Sequence, residues 1–285
     1  MSYRSSHPMP RRVVAVGALS ALLALAGGLL AARSSQASTL PTLKLAVTKT
    51  SITVEGATQS GAVNVVATAT GVKEGSAILF LLKPGVSVAE LESVLKAAGK
   101  DPNNASKYGT IVFDEEATAG KTNEAQTYLQ PGSYVALGAT GGEGGPKVKE
   151  PFTVTASASP VALPTAQATL RSIEFGFRGP STLHDGELVR FENEGFLVHM
   201  DLIAPAKSHR AAKQAVKDLL AGREKALEKL IIGEPFGAGP LSHEAFQQVT
   251  ITAKPGWYVQ VCFMETQDGR DHTRLGMERI IRIVK

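Results

Sequence analysis

The chain is poor in the residues that most often carry chemistry. It has one cysteine and one tryptophan in 285 residues, and only 6% of its residues are aromatic. A lone cysteine excludes an internal disulfide framework and any cluster built from several thiolates. There is no G-x-S-x-G elbow and no H-E-x-x-H pair, so two common hydrolase signatures are missing. Charge of one sign is scarce as well. The formal net charge is +4, and Arg4, Arg11, Arg12 and Arg33 account for it while no acid lies in the first 37 residues. Without that segment the chain is formally neutral. A nucleic-acid footprint needs a basic patch on the folded part, and none is available.

What is present begins with a leader. Three arginines precede an apolar run over 13–32, and Ser35-Gln36-Ala37 offers small residues beyond it. This is the layout of a secretory signal, so residues 1–37 are expected to be an export signal. A run of about 20 apolar residues is also long enough to span a bilayer, which would make 13–32 a membrane anchor. Either way the expected location is secreted or extracytoplasmic.

In that setting Cys262 is an intermolecular bridge, a free thiol or a metal ligand. It stands at the head of a segment that also holds His272 and Met277. A second imidazole, His199, follows Asn193-Glu-Gly195 upstream. Thiolate, imidazole and thioether form a soft donor set, which favours copper over calcium or magnesium.

The remainder reads as one plan used twice. Ala156 to Ala168 is rich in Ala, Ser, Pro and Thr, as a linker is. It separates an expected first domain, 40–155, from a second, 169–285. Each side opens with alternating strands: Leu43–Val47 and Ala62–Ala67 in the first, Ser172–Phe177 and Leu188–Phe191 in the second. Each then has a helix, one capped by the Ser87…Glu90 box and one starting at Ser208. Each closes with Pro-Gly-x-Tyr-Val, Pro131–Val135 and Pro255–Val259, whose tyrosines are 124 residues apart. At that offset Cys262 falls on Gly138, and His199 on Gly75. The first copy therefore has the frame without the ligands.

The second half resembles the cupredoxins, the blue-copper family of plastocyanin and azurin. The resemblance rests on the order His199, Cys262, His272, Met277, on the Asn193-Glu-Gly195 turn before the first histidine, and on the apolar strand that ends the chain. Two departures stand out: nine residues separate Cys262 from His272, and three separate Gly195 from His199. The resemblance implies an all-β fold of two tandem Greek-key β-sandwich domains, each with a helical insertion. It implies one copper ion, held by His199, Cys262, His272 and an axial Met277, in the second domain only. Phe196, Trp257 and Phe263 are expected to wall the site from water. The implied function is one-electron transfer without catalysis, with redox protein partners at the cell surface. A metal-free adhesive or binding sandwich uses the same frame and is the rival reading.

Overall fold

A computed structural model describes residues 39–73, 75–97, 102–141 and 146–285. The expected leader, 1–37, lies outside the described residues. Among the described residues no helix is long and apolar enough to cross a membrane.

The first half opens with β1 (Thr42–Thr48), β2 (Ile52–Gly56), β3 (Gly61–Thr70) and β4 (Ser76–Leu82). After α1 (Val88–Ala97) come β5 (Gly109–Glu116), β6 (Thr122–Leu129), β7 (Gly132–Ala139) and β8 (Val148–Val154). The second half runs β9 (Ala168–Ile173), β10 (Gly176–Arg178), β11 (Thr182–His184), β12 (Leu188–Asn193) and β13 (His199–Ala206). It then has α2 (His209–Leu220), β14 (Phe236–Leu241), β15 (Phe246–Thr250), β16 (Gly256–Val261) and β17 (Glu278–Val284).

The repetition expected from the sequence is present in the sheet topology. In the first half β1 pairs parallel with β3 and antiparallel with β2, and β3 pairs with β6. In the second half β9 pairs parallel with β12 and antiparallel with β10, and β12 pairs with β15. The facing sheets have the orders β5-β4-β7-β8 and β14-β13-β16-β17, with β11 added beside β17. Each half is thus a two-sheet sandwich, its strands alternating between a buried and a more exposed face as the pleat dictates. The repeated tyrosines do the same job twice. Tyr134 Oη donates to Gln130 O at 3.0 Å, and Tyr258 Oη donates to Lys254 O at 2.8 Å. Each pins the corner where the chain enters the buried strand, as tyrosine corners do in other sandwiches.

The helical insertions also match. Ser87 and Glu90 cap each other's backbone at the start of α1, and Ser208 Oγ accepts from Ala211 N at 3.1 Å at the start of α2. Leu91 of α1 packs on Phe80, Val135 and Leu137, on the outer face of β4 and β7. Ala211, Ala212, Ala215 and Leu219 of α2 pack on Val259 and Val261, on the outer face of β16. Small residues let α2 lie close to its sheet.

The two halves join through their edges. β6 and β15 pair at Gln126 and Gln248, which makes one eight-stranded sheet, β10-β9-β12-β15-β6-β3-β1-β2. Ile111 and Ser242 exchange hydrogen bonds of 2.9 and 3.0 Å beside it. Residues 39–285 form one compact unit.

One strand expectation needs correction. Ser172–Phe177 is not a single strand. It breaks at Glu174-Phe175 into the β9–β10 hairpin, and Phe175 takes a left-handed φ of 55° there. The alternation of Ile173, Phe175 and Phe177 imitates a strand, yet Phe175 spends its side chain on the site below.

Candidate metal centre

Three of the four expected ligands come together through backbone geometry. His199 is the first residue of β13. The turn before it is fixed by Asn193, a buried side chain whose Oδ1 accepts from Gly195 N at 2.9 Å. Its Nδ2 donates to Leu197 O at 2.7 Å and to Leu241 O at 2.8 Å. Asn103 of the first half accepts from Val198 N at 2.7 Å, one residue ahead of the histidine. The extra residues between Gly195 and His199 are therefore bonded on both sides.

Cys262 follows β16 directly, and the long loop behind it folds back on itself. The backbones of Glu265 and Asp271 pair in an antiparallel bridge, and the tip turns at Gly269, whose φ is 77°. His272 N then donates to Met264 O at 2.8 Å, and Thr273 N to Cys262 O at 3.0 Å. The nine-residue excursion closes as a small hairpin, so the effective span from sulfur to imidazole is short. A 3₁₀ turn at His272–Leu275 ends at Gly276, with φ 116°, and leads into β17.

The donor atoms are close and buried. His199 Nδ1 and His272 Nδ1 are 3.0 Å apart, and Cys262 Sγ lies 3.9 Å from the first and 3.6 Å from the second. A point equidistant from the three lies about 2 Å from each; zinc, for scale, bonds at about 2.0–2.1 Å to imidazole nitrogen and about 2.3 Å to thiolate sulfur. The residues present therefore fit a metal of copper type in a trigonal N2S set. His199, Cys262 and His272 are the cluster of this kind among the described residues.

Met277 is fully buried. Its carbonyl accepts from Cys262 N at 3.3 Å, which places it directly opposite Cys262 as the β16–β17 ladder ends. Directly opposite residues of an antiparallel pair share a face. Met277 therefore stands on the same side of the sheet as the Cys262 side chain.

Burial sets the electrostatics. It pushes the Cys262 thiol up to about 12, against the backbone N–H groups of Met200 and Met264 that favour the thiolate. It pushes His199 down to about 4, with neighbouring His272 acting in the same direction. The imidazole is thus neutral and ready to coordinate, while the thiol keeps its proton until a cation displaces it.

The wall of the site differs from the expected one. Phe196 is 80% exposed and stacks on His243 with ring centroids 5.0 Å apart. Phe263 is 39% exposed. Trp257 lies against His209 of α2, at 4.1 Å. Phe196 lies in the turn before β13 and Phe263 beyond the end of β16, and only Trp257 is a strand residue. Phe175 covers the centre instead, edge-on to His272 at 5.3 Å. Its left-handed φ gave no signal in the sequence. Met264, a further soft side chain, packs in the cluster around Phe80 and Ile78 of the first half.

Fold and donor order together make the second half a cupredoxin-like sandwich, and the first half the same sandwich without donors. No protein-family model and no curated protein matches the sequence. Among solved structures, the chain is similar to reduced auracyanin from Roseiflexus castenholzii: 16% identity, TM-score 0.27, covering 41% of this chain and 95% of that one. It is similar to auracyanin A, a "blue" copper protein of Chloroflexus aurantiacus: 20% identity, TM-score 0.25, covering 41% and 96%. A copper-containing nitrite reductase from Thermus scotoductus aligns along both halves, at 12% identity and TM-score 0.25, covering 86% of this chain and 68% of that one. These likenesses are too weak to assign a family.

Proposed function

We propose that the protein is an exported one-electron carrier that holds a single copper ion in its second half. His199, Cys262 and His272 would be the equatorial ligands and Met277 the axial one. The observation that carries this is the triangle of two imidazole nitrogens and one sulfur, 3.0–3.9 Å on a side and closed to water. Bound copper would supply a Cu(I)/Cu(II) couple in nearly one geometry, so that an electron moves with little rearrangement. The chain's own part is to hold the donors before the ion arrives. Asn193 and Asn103 fix the approach to His199, the small hairpin fixes His272, and two backbone N–H groups face the sulfur. Partners would be redox proteins outside the cytoplasm. Phe196 and Phe263, exposed and adjoining the ligand strands, offer them an apolar landing surface.

The test is a titration of the purified protein with Cu(II). An intense visible absorption should appear at one equivalent, and Cys262→Ser should remove it while leaving the far-ultraviolet circular dichroism unchanged. Met277→Leu should keep the colour and move the midpoint potential. A colourless wild-type complex, with the thiol still open to alkylation, would favour the adhesive reading. Turnover of nitrite or a phenolic substrate by the copper-loaded protein would make it an enzyme.

A further inference from the structure

The geometry points to a positioning residue outside the donor set. We propose that Glu174 fixes His199 as the tautomer that can bind metal, by drawing the ring proton to Nε2 and leaving Nδ1 bare. The metal part of this rests on the copper reading above; the tautomer part does not.

A neutral imidazole carries one proton, on either nitrogen, and a metal can attach only to the other. His199 turns Nδ1 toward His272 and Cys262. Its Nε2 is buried and has no hydrogen-bond partner. A buried polar nitrogen left in that state is costly, so a partner is expected nearby. Glu174 Oε1 lies 3.9 Å from it. That is beyond a hydrogen bond but within a small side-chain shift of one.

The carboxylate is aimed there by its surroundings. It stands at the β9–β10 turn, beside the left-handed Phe175 that covers His272. Oε1 accepts from the backbone N–H of Phe196 and, at 3.1 Å, from that of Leu197. The same oxygen therefore ties down the turn before His199 and faces its ring. Gly195 makes the approach possible. A Cβ there would lie 2.7 Å from Glu174 Oε1 and 2.7 Å from His199 Nε2. Any side chain at 195 would wedge the carboxylate and the imidazole apart.

A second consequence follows for the metal-free protein. With the proton on Nε2, His199 Nδ1 is an acceptor, and at 3.0 Å its donor is His272 Nδ1–H. The two rings then hold each other in place before any ion enters, and the His272 Nδ1 proton must be released to solvent as a metal binds there. Partners of this kind typically alter metal affinity by about 10- to 100-fold when removed.

The experiment is long-range ¹H–¹⁵N correlation spectroscopy on the ¹⁵N-labelled, metal-free full chain. Wild-type His199 should appear as the Nε2–H tautomer. Glu174→Leu should move population to Nδ1–H, and Glu174→Gln, which keeps an acceptor oxygen, should restore Nε2–H. An Nδ1–H signal for His199 in the wild type overturns the proposal without recourse to any variant. So does one unchanged tautomer across all three proteins. Titration with Cu(II) then gives the metal arm, where Glu174→Leu should bind about 10- to 100-fold more weakly. An unchanged affinity defeats that arm. A wild type that shows the Nε2–H tautomer but binds no copper defeats the copper reading and leaves the positioning role standing.

Discussion

The two halves share a frame and differ in what fills it. The first half seals the places where the second puts Cys262 and His199. Gly138 stands where Cys262 does, and a Cβ added there would lie 2.5 Å from Val148 Cγ2 and 3.1 Å from Val47 Cγ1. Gly75 stands where His199 does, and its Cβ would lie 2.2 Å from Ala139 O. Asn193, which organises the histidine turn, has Ala69 as its counterpart at the same offset. The same strands, corners and helices thus support a packed apolar end in one copy and a polar, donor-lined end in the other. Fold alone decides neither outcome; a few side chains at one rim do. The first half is still part of the site's support, since Asn103 holds Val198 and Ser242 is bonded to Ile111.

The comparison can be broken most severely at Asn193. Asn193→Ala should cost about 2–4 kcal/mol in urea unfolding, because Gly195 N, Leu197 O and Leu241 O all lose a partner in a buried turn. Ala69→Gly, the same backbone place in the first half, should cost about 1–1.5 kcal/mol, since only a methyl and some backbone order are lost. Equal losses at the two positions would mean that the histidine turn carries no special support. Copying the thiol across tests the other side of the difference. Gly138→Cys should destabilise by about 1–3 kcal/mol through overpacking against Val47 and Val148. It should add no copper absorption, since no imidazole occupies that end. A second equivalent of coloured copper would show that the first copy is only one residue away from a site.

The frame was readable because its signals are local. The Pro-Gly-x-Tyr-Val repeat, the capping box at Ser87 and the cap at Ser208 each depend on neighbours within four residues. The cluster of His199, Cys262 and His272 was readable because these residue types are so scarce. What could not be read depends on distant pairing or on backbone angles. Glu174 is one acid among 26 acidic residues, and nothing local links it to a ring 25 residues away. Phe175 looks like a strand residue in an alternating segment and is instead the pivot of a hairpin. The union of the halves through β6 and β15 rests on Gln126 and Gln248, whose side chains give no pairing signal. Phe196 looks like part of a wall beside the histidine, and the turn points it outward.

The smallest expected effect concerns the seam between the halves, where the asymmetry is one of charge. β5 carries the buried Asp114 and the half-buried Glu115, while its counterpart β14 has no acid and narrows to Gly239. A Cβ on Gly239 would lie 2.6 Å from Asp114 Cγ, so the glycine makes room for the carboxyl. Gln247 spans the seam: its Oε1 accepts from Asp114 N at 3.2 Å and its Nε2 donates to Glu115 Oε2 at 3.0 Å. Burial pushes Asp114 well above the usual carboxylate range and Glu115 up from 4.5 to about 7. Between those two values the folded chain holds a proton on Glu115 that the unfolded chain has released. Stability therefore falls as pH rises through that window, and below it Glu115 contributes no pH dependence. The slope should be up to about 1 kcal/mol per pH unit in urea unfolding of the metal-free protein. Glu115→Gln should lessen it by Glu115's share, leaving that of the buried Asp114, while keeping an oxygen for Gln247 to bond. An undiminished slope in Glu115→Gln would place the whole effect on Asp114. No slope in the wild type would mean that the seam admits enough water to keep both acids ordinary.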